Sequence, residues 1–173
     1  MDFASLSRWE RPACVRANRA NRSPLVGTVF ALASRLGNGA FWYLLMVMLP
    51  LCYGLGDLRV SLAMAACGLV GTGIYKLIKG STRRPRPCAD ADGLVLTVPP
   101  LDVFSFPSGH TLHAVAFTLL AGWHHPELLW VLAPFTGLVA ASRVILGLHY
   151  PSDVVAGAVL GTALATLTLA ITG

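Results

Sequence analysis

The chain has 173 residues, of which 55% are hydrophobic and 12% charged, and its mean hydropathy is +0.65, whereas soluble domains carry about 25% charged residues. That balance excludes a soluble globular enzyme. The net charge of +5 does not indicate nucleic acid as a partner, because the basic residues fall mainly into two clusters, 8–35 and 76–86, that flank apolar runs, as in membrane proteins.

Residues 1–24 carry Arg8, Arg11, Arg16, Arg19 and Arg22 with no apolar core among them, which is unlike a secretory signal; the segment is expected to remain in the mature protein. Residues 24–36 are apolar but include Arg35 and are too short to span a bilayer, so they read as an interfacial helix. Together they make 1–38 a basic interfacial segment leading into a single membrane-embedded domain. Residues 39–55 form the first span, with Pro50 as a tolerated kink and Phe41, Trp42 and Tyr43 at the interface. The second, 60–78, is rich in Ala and Gly, which lets helices approach closely. Residues 80–107 are the longest polar stretch, and a loop of that length usually has a function. Three more spans follow at 108–123, 128–146 and 151–171, the last with Gly157 and Gly161 as a packing face. The fold expected is all-α, a polytopic membrane bundle of about five transmembrane helices plus the amino-terminal interfacial helix. Cys14, Cys52, Cys67 and Cys88 form no CxxC pair and have no histidine at ligand spacing, which leaves a zinc or redox site without support.

Polar residues at the ends of these spans collect in three places. Lys79 to Pro87 follows the second span; Pro107-Ser108-Gly109-His110 opens the third; Ser142-Arg143 closes the fourth, with His149 and Asp153 at the entry to the fifth. Spans two and four descend to the face from which three and five start, so all three segments share one mouth. Lys79, Arg86 and Arg143 are cations suited to phosphate oxygens, the guanidinium groups in a bidentate manner. Ser108 and Gly109 at a helix start offer a hydroxyl and unpaired N–H groups for an anion, and His110 rides on the same turn. His149 and Asp153 are four apart, so the carboxylate can hold one imidazole nitrogen and leave the other free to attack. Each residue alone has a plainer reading. The basic run could anchor lipid headgroups, Arg143 could snorkel, the histidines could be structural and Asp153 could complement a helix end. None of these readings explains why all of them share a mouth.

Lys79 with six residues before Arg86-Pro87, the string Pro107-Ser108-Gly109-His110, and Ser142-Arg143 with five residues before His149 and three before Asp153 resemble, in order, the three signature motifs of the type 2 phosphatidic acid phosphatase superfamily. Lys76 with Arg83 repeats the first spacing but lacks the following proline. The resemblance implies that Lys79, Arg86, Arg143, Ser108 and the Gly109 backbone hold phosphate. It further implies that His149 attacks phosphorus to form a phosphohistidine, that Asp153 orients it, and that His110 protonates the leaving alcohol. Ser142 belongs to the signature but suits helix packing equally well, and His113 is expected to be structural. His124 and His125 fall at the opposite mouth, where they are expected to be solvated. No metal or other cofactor is expected, since fixed cations can neutralise the phosphoryl charge.

The expected activity is hydrolysis of a lipid phosphate such as phosphatidylglycerophosphate or phosphatidate, with an undecaprenyl (isoprenoid) diphosphate as the alternative substrate. A non-catalytic lipid-binding protein is the competing class, and the His110, His149 and Asp153 set argues against it. The partners are a lipid phosphate and the bilayer. Five spans put the amino terminus and the mouth on one side. Without the three phosphate cations that side carries Arg8, Arg11, Arg16, Arg19, Arg22, Arg35, Lys76, Arg83 and Arg84, against Arg59 on the other. The positive-inside bias then predicts a cell inner-membrane protein whose mouth faces the cytoplasm.

Overall fold

The structure, a computed structural model, describes residues 3–90 and 93–172, and all the regular structure among them is helical. Helix α1 (Phe3–Asn18) is followed by a 3-10 turn and α2 (Pro24–Arg35). A kinked turn, Leu36–Ala40, joins α2 to α3 (Phe41–Tyr53). Next come α4 (Leu58–Thr82), the short α5 (Pro87–Asp90), α6 (Gly109–His124), α7 (Leu129–Ile145) and α8 (Pro151–Thr172). Four segments among the described residues are long and apolar enough to cross a membrane: Pro24–Tyr53, Leu55–Ala89, Pro126–Ile145 and Pro151–Thr172. The 16-residue α6 is shorter, and it is the central helix, packed on α4, α7 and α8.

Large apolar residues are divided between the core and the outer surface of the bundle. Trp42, Met64, Phe117, Leu120 and Leu132 are buried, while Leu44, Leu69, Trp130, Val159 and Leu167 are exposed, as a surface facing lipid requires. Gly157 and Gly161 set the closeness of α8 to α6. A Cβ at either would collide with a main-chain carbonyl, that of Ser108 or of Leu112, which cannot swing aside as a side chain could. Trp42, Phe117 and Phe135 cluster with ring centroids 5.6 Å apart from Trp42 to each partner, tying α3, α6 and α7 together.

The amino-terminal segment differs from the sequence expectation in one respect. Residues 24–36 do form a helix, but α2 does not stand alone on the surface. Its small inward residues, Gly27, Ala31, Ala33 and Ser34, allow it to pack against α7, and Gly37 lies so close to Val139 that a Cβ there would strike that side chain. The run Gly37-Asn38-Gly39 bends the chain without stopping it, Gly39 taking φ +125°, so α2 and α3 make one bent segment of 30 residues. Helix α1 packs at the mouth end of the bundle, against α5, α7 and α8. Ser7 and Glu10 meet Arg84, Glu10 also meets Ser152, and Asn18 meets the Ile145 carbonyl.

At the opposite end, Tyr53 donates to Glu127 at 2.9 Å and stacks on His125. His125 is paired with Asp57 at 2.7 Å, so it has a partner and is not merely solvated as the sequence suggested. The end of α8 reaches this side, where Thr172 shares a small cleft with Arg59 and His124. Amino-terminal helix and mouth therefore lie at one end of the bundle, and the end of α8 lies at the other.

Candidate active site

Helix α4 ends where Arg83 takes a left-handed conformation, φ +47°, just before Pro85 and Pro87. A residue preceding proline is held extended, which applies to both Arg84 and Arg86, and side chains of an extended segment alternate between faces. Arg83 and Pro85 accordingly point outward while Arg84 and Arg86 are buried. Lys79, one turn before the end of α4, is also buried, whereas Lys76 is exposed. Of the two lysine–arginine pairs with the same spacing, Lys79 and Arg86 face inward.

On α6, Ser108 is the N-cap and accepts from the Thr111 N–H at 3.4 Å. Its hydroxyl also pairs with Thr111 Oγ1 at 3.0 Å, and the residue is fully buried. The sequence expectation gave this hydroxyl to the anion; here it caps the helix, and Ser108 is not among the residues that line the cavity. Gly109 and His110 do line it, and the first-turn N–H groups of a helix have no intrahelical acceptor. A Cβ at Gly109 would press on the Tyr75 ring, so glycine lets the turn sit close.

Between α7 and α8 the chain reverses in five residues, with Gly147 at φ +71°. The Leu148 and His149 N–H groups both donate to the Arg143 carbonyl at 3.0 Å, which fixes His149 relative to the end of α7. Asp153, in the first turn of α8, accepts from the Tyr150 N–H at 2.8 Å through Oδ2. The same oxygen lies 3.5 Å from His149 Nδ1, within ion-pair range though long for a hydrogen bond. On the other ring nitrogen, Nε2 of His149 is 3.1 Å from Arg86 Nη1. Arg86 is a donor only, so Nε2 carries the lone pair and Nδ1 carries the proton that faces Asp153. Burial above all, followed by Arg86, Arg143 and Lys79, pushes the His149 imidazole well below its usual pKa, and the ring stays neutral and nucleophilic.

Lys79, Arg86, Gly109, His110, Arg143 and His149 line one cavity of about 640 Å³. Arg143 is 2% exposed and donates to Ser34 Oγ of α2, while its Nε is buried with no hydrogen-bond partner. Ser142 bonds the Val139 carbonyl within its own helix at 2.6 Å, a packing role. His113 bonds the Gly68 carbonyl at 3.1 Å and stacks on Phe117, a structural role as expected. Met46 of α3 and Ala65 and Leu69 of α4 add apolar lining to the same cavity.

Three partners escaped sequence reasoning. Arg84 donates to Asp153 Oδ1 at 2.6 Å, to Glu10 Oε2 at 2.7 Å, to Ser152 Oγ at 2.7 Å and to Ser7 Oγ at 3.1 Å. Its guanidinium also lies over the Tyr150 ring, 4.2 Å from the centroid. The signal available was the alternation forced by two prolines, which puts Arg84 on the same side as Arg86. Glu10 is the one acid within the basic stretch 8–35, and an isolated acid there could have been read as a partner for an inward arginine. For Asp102, on the irregular loop before α6, the sequence offers no signal. Its carboxylate bridges Lys79, at 2.8 and 3.0 Å, and Arg86, at 2.5 Å. Burial alone would raise the Asp102 carboxyl, but hydrogen bonds from Lys79 and Arg86 outweigh it and hold the pKa below the usual value.

Three inward cations and two histidines thus line one cavity, with the Asp153 carboxylate behind His149. The chain belongs to the PAP2 superfamily, whose family model matches residues 54–173, and it is accordingly a membrane phosphatase that hydrolyses phosphoric esters of lipids. It is similar to the decaprenylphosphoryl-5-phosphoribose phosphatase of Mycobacterium tuberculosis, with 31% identity over 160 residues, 92% of this chain and 87% of that protein. The undecaprenyl-diphosphatase of Sulfolobus acidocaldarius is 41% identical over 71 residues, 39% of this chain and 34% of that one. Among solved structures, the PAP2-type phosphatidylglycerolphosphate phosphatase from Bacillus subtilis is similar at a TM-score of 0.75 and 26% identity, covering 96% of this chain and 86% of that one.

Proposed function

We propose that this phosphatase removes the terminal phosphomonoester of a lipid headgroup by transferring it to His149. The observation that carries the reading is the neutral, buried His149 set between Asp153 and Arg86 in a cavity that also holds Lys79, Arg143 and His110. The phosphoryl oxygens take Lys79, Arg86, Arg143 and the N–H groups of the first turn of α6. When the phosphate takes the Arg86 Nη1 donor from His149 Nε2, the freed lone pair attacks phosphorus in line with the ester oxygen. His110, protonated once the phosphate dianion offsets the surrounding cations, gives that proton to the ester oxygen as the bond breaks and is left neutral. Asp153 stabilises the imidazolium character that develops on His149. Water then attacks the phosphohistidine, with His110 as base, and inorganic phosphate leaves. Charge spread over the equatorial oxygens is met by three fixed cations, which do the work a metal ion performs in other phosphoryl-transfer sites.

Two relatives favour a phosphomonoester over an isoprenoid diphosphate. Decaprenylphosphoryl-5-phosphoribose and phosphatidylglycerolphosphate, in the names of those enzymes, both carry a terminal phosphate on a polyhydroxy headgroup joined to its lipid through another phosphoryl. The undecaprenyl-diphosphatase supports the second reading, a diphosphate substrate, over a shorter match. A panel of such phosphomonoesters and isoprenoid diphosphates, presented to the purified protein in detergent, separates them. Phosphate release from the phosphomonoesters is expected, at a rate that chelator leaves unchanged. Preference for the diphosphates sinks the first reading, and full loss on chelation with recovery on magnesium sinks the mechanism.

The mouth faces the cytoplasm in this proposal. With Arg84 also assigned to the site, its side of the bundle still carries Arg8, Arg11, Arg16, Arg19, Arg22, Arg35, Lys76 and Arg83 against Arg59 at the other end, the bias that keeps a face inside. In a background with the four native cysteines replaced, a cysteine at Ala20 is expected to be shielded from an impermeant thiol reagent in intact cells and one at Thr172 to react. The reverse pattern turns the mouth outward and favours the diphosphate reading.

A further inference from the structure

We propose that Asp102 is a specificity-determining residue, an internal anion that holds the phosphate subsite against phosphodiesters and yields it to a terminal phosphomonoester. The proposal rests on the phosphatase reading above and adds to it the rule by which lipid anions gain entry.

The geometry is that of a phosphate surrogate. One carboxylate oxygen is shared between Lys79 and Arg86, the other is bound by Lys79, and the Asp102 main-chain carbonyl accepts from Arg86 Nε at 2.8 Å. The two cations are 9% and 5% exposed at their side chains, while the Asp102 side chain is 44% exposed. The cations are thus fixed in the wall, and the carboxylate reaches them from an irregular loop whose residues Val98 to Asp102 form the cavity rim. A half-exposed carboxylate on a loop can withdraw, whereas Lys79 near the end of α4 and Arg86 on the extended segment that follows are buried in the wall. Arg143 is outside this bridge, bound to Ser34 with its Nε unpartnered.

The consequence follows from charge and from effective concentration. The cavity opens on a bilayer, where phosphodiester headgroups far outnumber any phosphomonoester, and three bare cations would bind those headgroups. A phosphodiester is a monoanion with two non-bridging oxygens. Its exchange for the Asp102 carboxylate is charge for charge, and the tethered carboxylate has the advantage of its high local concentration. A phosphomonoester dianion brings a second charge and a third oxygen, enough to satisfy Lys79 and Arg86 and to reach Arg143 as well. Asp102 therefore sets a threshold that the substrate's terminal phosphate passes and its internal phosphodiester does not. The same carboxylate can return to Lys79 and Arg86 as inorganic phosphate leaves.

The test is a binding measurement, so that it does not depend on turnover. Inorganic phosphate and short-chain phosphatidylglycerol, a phosphodiester, are titrated calorimetrically into the purified full chain in detergent, as wild type, Asp102→Ala and Asp102→Asn. Both variants keep the main-chain carbonyl used by Arg86 Nε, and the second keeps the side-chain shape if the first fails to fold. Removing a charged hydrogen-bonded competitor is expected to tighten phosphate by about tenfold and to give phosphatidylglycerol measurable competitive binding that the wild type lacks. Unchanged or weaker phosphate binding in the variants overturns the proposal, as does wild-type protein that binds phosphatidylglycerol as well as they do. Failure of the phosphatase reading shows separately, as wild-type protein that releases no phosphate from any lipid in the panel.

Discussion

His149→Ala is expected to lower phosphate release by about four orders of magnitude or more, the scale at which loss of a covalent nucleophile is felt, while the protein keeps its fold. The fold survives because the imidazole is a minor partner in its surroundings. Arg86 retains the Leu148 carbonyl at 2.7 Å and Asp102, and the loop is pinned by main-chain bonds to the Arg143 carbonyl. Thermal unfolding in detergent, run beside the activity assay, checks both halves. The low pKa of His149 also fixes a sign. Proton uptake that silences Nε2 begins only well below the ordinary value of about 6.5, so kcat/KM should hold through pH 6.5 as far as His149 is concerned. An unfolded chain binds that proton sooner, so the His149 contribution to stability is present above pH 6.5 and lost as pH falls below it. A variant that lacks the imidazole yet turns over at the wild-type rate removes His149 from the mechanism.

Arg84→Ala should be the most destabilising single change at the mouth. Arg84 is buried between Asp153 and Glu10 and donates to four side chains in all. Its removal leaves two carboxylates near each other without their shared cation, and breaking a buried ion pair from one side costs about 3–5 kcal/mol. Turnover should fall with it, because Asp153 then loses the partner that fixes the oxygen opposite His149. Arg84→Lys restores the charge but cannot fork between Asp153 Oδ1 and Glu10 Oε2, so a partial return of stability with a smaller return of kcat is expected. Glu10→Gln should cost less than either. Had Arg84 been a lipid-headgroup anchor, as a basic residue beside a span usually is, Arg84→Ala would leave melting temperature and turnover nearly unchanged, and that result would contradict the role given to it.

Much of this is legible in the sequence, for reasons that differ by residue. Span lengths and the order of the polar clusters point to which ends of the helices share a mouth, and the resemblance to the signature motifs then selects Lys79 and Arg86 over the equally spaced Lys76 and Arg83. The four-residue step from His149 to Asp153 suggests one helical turn, but only Asp153 lies in α8; His149 precedes the helix and is set by main-chain bonds to the Arg143 carbonyl. Residues 24–36 are too short to span alone and carry Arg35, which points to a helix on the surface; the bend at Gly37-Asn38-Gly39 instead joins α2 to α3, and α2 packs on α7. Ser108 shows a second limit, since a serine at a helix start can serve the helix or a ligand and only the Thr111 contact decides. Asp102 is the third. It lies on a long loop, 23 residues from Lys79 and 16 from Arg86, and the path of an irregular loop is not written in residue period or propensity.

The most direct measurement is a rapid-quench experiment in which wild-type protein meets a lipid phosphomonoester labelled in its terminal phosphate and is denatured in base within the first turnovers. The account predicts phosphate bound to protein, labile to acid and stable to base, on the peptide that carries His149, appearing before free phosphate and absent in His149→Ala. Free phosphate released in the first turnover with no label on the protein, or label on another side chain, contradicts it.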